Sequence, residues 1–212
     1  MKSYLAEFLG TFALVFCGTG AIISNEQTHG VIGNIGIAIT FGAIVASMIY
    51  TFADLSGAHF NPAITLGFSI LKLFPAKKIA PYLISQITGA FAATLVLKFL
   101  FPENQNLGST LPSGSNMQSF ILEFILTYFL MLTILFTSQG PEKTQQLAGI
   151  LIGSVVLLEA MFAGPICGAS MNPARSLAPG LISGNINTLW IYLISPVFGS
   201  LSASFSYKFL IY

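Results

Sequence analysis

Charged side chains are scarce in this sequence: they make up 7% of its 212 residues, whereas hydrophobic residues make up 54%. A typical soluble domain carries about 25% charged residues, so this composition does not supply a water-facing surface. Arginine occurs once and the formal net charge is +1, which leaves no basic patch for nucleic acid. The chain is therefore predicted to be an all-α integral membrane protein, with the lipid bilayer as its surroundings and no nucleic-acid partner.

Cysteine is equally rare. Cys17 and Cys167 lie in or beside apolar segments and form no CxxC pair, so the pattern predicts neither a disulfide framework nor a zinc site. No phosphate-binding loop and no nucleophile–base pattern is present in the sequence. We therefore expect no enzyme, no metal and no cofactor. Two interpretations of Cys167 stay open, a small buried hydrophobe or a thiol that makes a pore sensitive to mercurials.

What the sequence has instead is long apolar runs. A run of about 20 apolar residues is long enough to cross a bilayer as a helix, whereas a transmembrane barrel would show short alternating segments. Two further segments of about 12 residues are too short to span, and each begins with Asn-Pro, which suits a first helical turn. The predicted spans are 4–24, 32–53, 78–101, 117–138, 146–164 and 188–210, and the predicted re-entrant half-helices are 61–72 and 172–183.

The lysines predict the orientation, because cytoplasmic loops of membrane proteins are enriched in Lys and Arg. With six spans, one side receives Lys2, Lys72, Lys77, Lys78, Lys143 and Lys208. Lys98, near the other end of its helix, is expected to snorkel to the interface. Both termini are therefore predicted to face the cytoplasm, and the short termini favour a prokaryotic inner membrane.

The two halves of the chain repeat one pattern. Residues 57–66 and 168–177 are identical at six of ten positions without a gap, and Glu7-Phe8 parallels Glu123-Phe124. Three spans per half force the second copy to enter from the other face, so the repeat is inverted, and paired interrupted segments indicate the transport site. We predict a single channel domain over 1–212, with repeat one at 1–101, repeat two at 117–212 and a connecting loop at 102–116.

At these residues the chain resembles the aquaporins, or major intrinsic proteins, over essentially its full length. The resemblance rests on the Ala-Glu-Phe opening of the first span and on two stretches, Ser56-Gly57-Ala58-His59-Phe60-Asn61-Pro62-Ala63 and Asn172-Pro173-Ala174-Arg175-Ser176. It implies a right-handed bundle, one pore per subunit and a homotetramer. It also implies that Asn61, Pro62, Ala63, Asn172, Pro173 and Ala174 form the centre of the pore.

Physical arguments give these residues roles. Irregular backbone at membrane depth is tolerated where it is buried or lines a cavity. The positive N-terminal ends of two half-helices would repel cations, while the amides of Asn61 and Asn172 donate to a passing oxygen. Glu7 and Glu123 are acids within spans, and two interpretations are open: pore-lining charges, or acceptors for backbone N–H groups of the re-entrant loops, which matches the usage of the family. Arg175 either donates to solutes in the outer mouth or anchors loop carbonyls.

The resemblance also implies a four-residue selectivity filter at Phe41, Ala160, Ala169 and Arg175. Strict water channels carry a histidine where this chain has Ala160, so the opening is expected to be wider and more apolar on one side. Glycerol channels resemble Trp-Gly-Phe-Arg at the filter and carry an Asp where this chain has Ser176. The stretch 163–177 looks most like the nodulin-26-like intrinsic proteins, a branch that passes water, glycerol and neutral metalloid hydroxides.

The sequence therefore predicts a passive channel for water and small neutral solutes, such as glycerol-like polyols and arsenite, silicic or boric acid, that excludes ions and protons. Three residues have an open role in the pore or in gating: His59, Asp54 and Glu159. Asp54 is otherwise a solvated vestibule carboxylate, and Glu159 otherwise turns toward a neighbouring helix or loop and is satisfied there. The alternatives are a strict water channel, an ion-coupled transporter and a purely structural membrane protein. Flux that depends on an ion gradient would favour the transporter.

Overall fold

In the computed structural model, which describes residues 1–211, six long apolar helices account for most of the chain. The hydropathy of each is high enough for a membrane span over at least 18 residues. The predicted spans are confirmed to within about three residues. The spanning helices are α1 (Lys2–Gln27), α2 (Gly33–Ser56), α4 (Ile79–Leu100), α5 (Asn116–Ser138), α7 (Ala148–Cys167) and α9 (Leu189–Ile211).

Two half-helices complete the bundle: α3 (Pro62–Ile70) and α8 (Pro173–Ser183). A 3-10 turn at Ala76–Lys78 leads into α4, and a short helix α6 (Glu142–Gln146) precedes α7. Helix α7 extends three residues beyond its predicted end at 164, because it continues through Pro165 to Cys167 and ends at the left-handed Gly168.

The helices pair in the same way in both halves. Helix α1 crosses α4 where the carbonyl of Phe8 lies against Gly89, and α5 crosses α9 where the carbonyl of Phe124 lies against Gly199. A Cβ at either glycine would collide with that backbone oxygen. Both crossings therefore require glycine, since backbone cannot yield as a flexible side chain can.

The two halves meet along α2 and α7. Gly42 and Gly153 occupy equivalent positions of the repeat, and they contact each other: a Cβ built on either one would lie 2.6 Å from the carbonyl oxygen of its counterpart. Contact between equivalent residues places a pseudo-twofold axis at this crossing. Small residues allow such close approach of helices, as they do in other membrane proteins.

The residues that face outward suit a lipid environment. Each spanning helix exposes large apolar side chains, among them Leu5, Ile39, Phe129, Leu158 and Phe205. The buried core, by contrast, contains many small residues and an unusual number of polar ones, including Glu7, Gln86, Glu123 and Arg175. Buried polar groups need hydrogen-bond partners, and backbone partners of the two glutamates lie in the segments that lead into the half-helices.

Candidate functional site

The half-helices begin at the two Asn-Pro-Ala triplets. Asn61 is extended at φ −154°, and its Oδ1 accepts a hydrogen bond from the backbone N–H of Ala63 at 2.9 Å. Asn172 does the same for Ala174 at 3.0 Å and for Arg175 at 3.3 Å. In both, proline fills the first helical position, where no N–H is needed. The triplets thus supply the N-cap and the first turn of each half-helix.

Each asparagine also binds the opposite loop. Nδ2 of Asn61 donates to the carbonyl of Met171 at 2.7 Å, and Nδ2 of Asn172 donates to the carbonyl of Phe60 at 2.9 Å. The half-helices therefore meet at their N-termini, as the sequence predicts. An amide nitrogen carries two protons, so one N–H of each asparagine remains for the channel.

The backbone before each asparagine takes one unusual shape twice. Gly57, Ala58 and Phe60 have φ of 83°, 52° and 50°, and Gly168, Ala169 and Met171 have φ of 87°, 41° and 54°. Left-handed conformations cost non-glycine residues of order 1–3 kcal/mol each and persist only where the surroundings impose them. The surroundings here are the two buried glutamates.

Glu7 holds the first loop. Its carboxylate accepts from the backbone N–H groups of His59 at 2.9 Å and Phe60 at 2.7 Å. It also accepts from the Ser56 hydroxyl and the Gln86 amide, both at 2.7 Å. The geometry matches the interpretation of Glu7 as an acceptor for loop N–H groups, and Glu7 is fully buried outside the channel lining.

Glu123 holds the second loop with fewer donors. It accepts from the backbone N–H groups of Ser170 at 2.7 Å and Met171 at 2.8 Å. The thiol of Cys167, a weak donor, lies beside it. In repeat two, the position equivalent to Gln86 is occupied by Pro196. Within residues 1–211, no side-chain amide therefore donates to the Glu123 carboxylate.

A pair of buried tyrosines fixes the helix that precedes each loop. The hydroxyl of Tyr82 donates to the carbonyl of Ser56 at 2.8 Å, and that of Tyr192 donates to the carbonyl of Cys167 at 2.7 Å. Ser56 and Cys167 are the last residues of α2 and α7. Sequence reasoning missed this pair, although both tyrosines lie seven residues before the crossing glycines Gly89 and Gly199.

A continuous channel cavity runs past the asparagines. All four predicted filter residues, together with Asn61, Asn172 and His59, contribute to its wall. Apolar side chains form most of the rest, including Leu14, Val45, Ile49, Phe68, Ile152 and Val156. We call the part around Phe41 and Arg175 the outer half, and the part around His59 and Ser138 the inner half.

The outer half combines an aromatic wall with a cation. Cζ of Arg175 lies 5.2 Å from the centre of the Phe41 ring, within the range of a cation–π contact. One guanidinium nitrogen donates to the carbonyl of Gly108 at 2.8 Å, whereas Nε has no partner within residues 1–211. Both interpretations of Arg175 are compatible with the geometry: one nitrogen anchors a loop carbonyl and the residue contributes to the channel wall, although the unpartnered Nε is itself buried.

The connecting loop closes over this region, which the sequence did not predict. The Thr110 hydroxyl donates to Ser176 at 2.7 Å, and Ser176 in turn contacts the Ser170 hydroxyl. Ser113 donates its backbone N–H to the carbonyl of Ile166 at 2.9 Å. Ser176, at the position where the resemblance implies an Asp in glycerol channels, thus links the loop to the second half-helix.

Two predicted residues lie away from the channel. Asp54 is exposed and lines a separate surface cleft with Lys2 and Lys78. Glu159 is half-buried, does not contribute to the channel wall, and has a buried Oε2 without a partner in the described part of the chain. The side chain thus lies away from the channel, but the hydrogen-bond partner that the alternative expects in a neighbouring helix or loop is not found among residues 1–211. Cys167 is buried and outside the lining as well.

Comparison with known proteins gives the same picture as the geometry. The profile of the Major intrinsic protein family matches residues 1–207. The chain is 41% identical to Aquaporin NIP1-2 of Arabidopsis thaliana, over 100% of this chain and 75% of the relative. It is 38% identical to Nodulin-26 of Glycine max, over 100% of this chain and 79% of the relative.

A solved structure agrees in fold. The aquaglyceroporin from Plasmodium falciparum superposes with a TM-score of 0.87 at 30% identity, covering 99% of this chain and 96% of that one. The relatives of this chain are aquaporins, which are channels, so the chain is not an enzyme. The chain belongs to the major intrinsic protein family, the aquaporins, and is a multi-pass transmembrane channel for water or small solutes.

Proposed function

We propose that the channel passes water together with small neutral solutes, namely glycerol-like polyols and metalloid hydroxides such as arsenite, silicic or boric acid, and that it excludes ions and protons. The observation that supports this is the composition of the outer half. Arg175 offers hydrogen-bond donors on one side, while Phe41, Ala160 and Ala169 present carbon surface. A solute with hydroxyls on one edge and carbon on the other satisfies both sides.

Exclusion of cations follows from the charges. The guanidinium of Arg175 and the N-terminal ends of α3 and α8 all point positive potential at the channel. The spare N–H groups of Asn61 and Asn172 orient a passing oxygen at the narrow centre. Water in that place is held as an acceptor from both sides, which interrupts a chain of proton transfers.

The alternative is a strict water channel. The Phe41–Arg175 contact favours it, because the resemblance places the same two residue types in the filters of strict water channels. The two functions differ at Ala160, since an alanine leaves space that an imidazole would fill.

Stopped-flow light scattering on proteoliposomes decides between them. Gradients of glycerol, urea and arsenite should each relax faster than in empty vesicles, along with rapid osmotic water flux. Substituting Ala160→His should suppress glycerol more than water, whereas Ala160→Val, which adds bulk without a donor, serves as the matched control. Water flux alone in the wild type would leave the strict water channel as the function, and flux that requires an ion gradient would indicate a transporter.

We also infer that both termini lie on the cytoplasmic side and that the chain assembles as a homotetramer. The one-sided lysines support the first inference, and the family resemblance supports the second. In a Cys17→Ser/Cys167→Ser background, a membrane-impermeant maleimide applied from outside should label Glu103→Cys but not Lys143→Cys. Native mass spectrometry of the protein released from detergent should give the mass of four chains. The relatives from Arabidopsis thaliana and Glycine max are plant proteins, and these comparisons give no support to the predicted prokaryotic inner membrane.

A further inference from the structure

A second cleft, with a volume of about 590 Å³, lies at the inner end of the bundle. Its walls come from the first turn of α1, the end of α2 and the turn that leads into α4, and Gly57 belongs both to this cleft and to the channel wall. Because two spanning helices begin here, the cleft lies where the bilayer meets water. Its polar groups are therefore placed to meet lipid headgroups.

Two lysines without partners give the cleft its charge. Lys2 is exposed and Lys78 is half-buried, and the acid that shares the cleft with them is Asp54. Among residues 1–211, no acidic side chain forms an ion pair with either lysine. An ammonium group has three N–H donors and no acceptor. Both lysines thus have donors free for an anion that enters the cleft.

Backbone dipoles add to the positive potential of the cleft. Helix α1 begins at Lys2 and α4 begins at Ile79, and no side chain caps either N-terminus. The N-terminus of a helix carries a partial positive charge and binds phosphate through its free N–H groups. Each half-helix, by contrast, begins with an N–H group that an asparagine satisfies. The two lysines and the two helix ends favour the same ligand, a phosphate group.

Apolar side chains lead from the cleft along the lipid-facing surface. Leu55, in the wall of the cleft, is 51% exposed. Leu5 on α1 and Ile84 on α4 follow within two turns of the cleft, and they are 58% and 62% exposed. These two helices are neighbours, since Gly89 of α4 lies against the carbonyl of Phe8. A phospholipid bound at the cleft would place its acyl chains on this surface, whereas a soluble phosphate would use only the polar groups.

We propose that this cleft binds the headgroup of an anionic phospholipid, with Lys2 and Lys78 on its phosphate and its acyl chains along α1 and α4. Basic pockets between spanning helices recognise anionic headgroups in this way. Asp54 restricts the site to a single phosphate, because a second one would face its carboxylate. A lipid such as phosphatidylglycerol, which has one phosphodiester and no cationic group, meets these requirements. The proposal does not depend on which solutes the channel passes.

Competition binding tests the ligand and the lysines together. The purified protein in a neutral detergent is offered phosphatidylglycerol and phosphatidylcholine of equal chain length, and native mass spectrometry counts the lipids that remain bound. We expect phosphatidylglycerol to be preferred, and Lys2→Gln/Lys78→Gln to weaken its binding about 25-fold, or about fivefold per lysine. Lys143→Gln/Lys208→Gln removes the same charge from exposed positions outside the cleft and should bind like the wild type. Asp54→Asn should bind phosphatidylglycerol more tightly.

Fluorescence quenching locates the bound lipid. In a Trp190→Phe background, Leu5→Trp places the sole tryptophan beside the cleft, and Phe129→Trp places it on the lipid-facing side of α5. In phosphatidylcholine liposomes, a minor fraction of phosphatidylglycerol brominated on its acyl chains should quench the first tryptophan more than the second.

Three results overturn the proposal: equal quenching of the two tryptophans, equal binding of the two lipids by the wild type, and equal affinity of the two double-lysine variants for phosphatidylglycerol. Glycerol 3-phosphate added to the competition experiment separates a lipid from a soluble phosphate. It should leave the bound lipid in place, because it lacks the acyl chains. Displacement of phosphatidylglycerol by this soluble anion overturns the assignment to a lipid.

Discussion

The two buried glutamates make unequal demands on the fold, and this inequality can be measured. In the wild type, each carboxylate oxygen of Glu7 accepts from two donors, Oε1 from Ser56 and His59 and Oε2 from Phe60 and Gln86. In Glu7→Gln, whichever way the new amide is turned, its NH₂ group replaces an oxygen that accepted two hydrogen bonds, one of them from a backbone N–H that cannot reverse. Each carboxylate oxygen of Glu123 accepts from one backbone N–H in the wild type. In Glu123→Gln the NH₂ group therefore faces only one donor.

These counts set the magnitudes. A hydrogen bond to a charged group contributes about 1.5–3 kcal/mol. Two lost bonds should lower the free energy of unfolding by about 3–6 kcal/mol in E7Q, against about 1.5–3 kcal/mol for the single lost bond in E123Q. The exposed Glu142 provides a control, and E142Q should stay within about 0.5 kcal/mol of the wild type.

Equilibrium unfolding in mixed detergent micelles gives these energies. Trp190 is the only tryptophan and packs against Phe120 with the ring centres 5.8 Å apart, so its fluorescence reports the packing of α5 and α9. Equal destabilisation by E7Q and E123Q would refute the reasoning from donor counts. So would a variant of either glutamate that unfolds like E142Q.

Three further outcomes follow from the buried contacts. Gly89→Ala and Gly199→Ala should each lower the free energy of unfolding by about 1–3 kcal/mol, because the new methyl group meets a backbone carbonyl. The control is Gly20→Ala, whose new methyl group would meet only a Leu97 methyl at 3.4 Å. It should unfold like the wild type, and a destabilised Gly20→Ala would contradict this. Tyr192→Phe should lower the free energy of unfolding by about 1–3 kcal/mol, since the fully buried carbonyl of Cys167 loses its partner. Tyr128→Phe removes a part-buried hydrogen bond and should lower it less in the same unfolding assay. The reverse order would count against the role given to Tyr192. Ser176→Ala should loosen the connecting loop from the second half-helix, because Thr110 loses its partner; hydrogen exchange of residues 108–113 should be faster than in the wild type, with a substitution of the exposed Ser154 of α7, Ser154→Ala, as the control; unchanged exchange would show that Thr110 has no part in holding the loop.

Much of the architecture could be predicted because the membrane simplifies the pattern. Long apolar runs gave the six spans, and the two Asn-Pro-Ala triplets gave the half-helices, since proline and a capping side chain mark a helix start. The end of α7 lies three residues past the predicted one, because proline is tolerated inside membrane-spanning helices. In α7 the helix continues to Gly168, whose left-handed conformation ends it.

The site was predictable in its residues but less so in its contacts. Asn61 and Asn172 were expected to face the solute, and their bonds to the opposite loop depend on a meeting of two chain segments more than 100 residues apart. The contacts of residues 108–113 of the connecting loop and the hydrogen bonds of Tyr82 and Tyr192 also join segments that are distant in sequence. No periodicity within one segment carries that information. Glu159 and Asp54 were candidates for the pore because each is a charged residue near a motif or filter position. Neither reaches the channel, because closeness in sequence does not fix the direction of a side chain.

The reciprocal bonds of Asn61 and Asn172 have a consequence for how the protein is made. When only the first three spans have been synthesised, the Asn61 amide lacks the carbonyl of Met171 to which it donates in the finished protein. The carbonyl of Phe60 likewise lacks the amide of Asn172. These bonds cannot form before residues 171 and 172 have been synthesised, so the centre of the pore is completed only after most of the chain has been made.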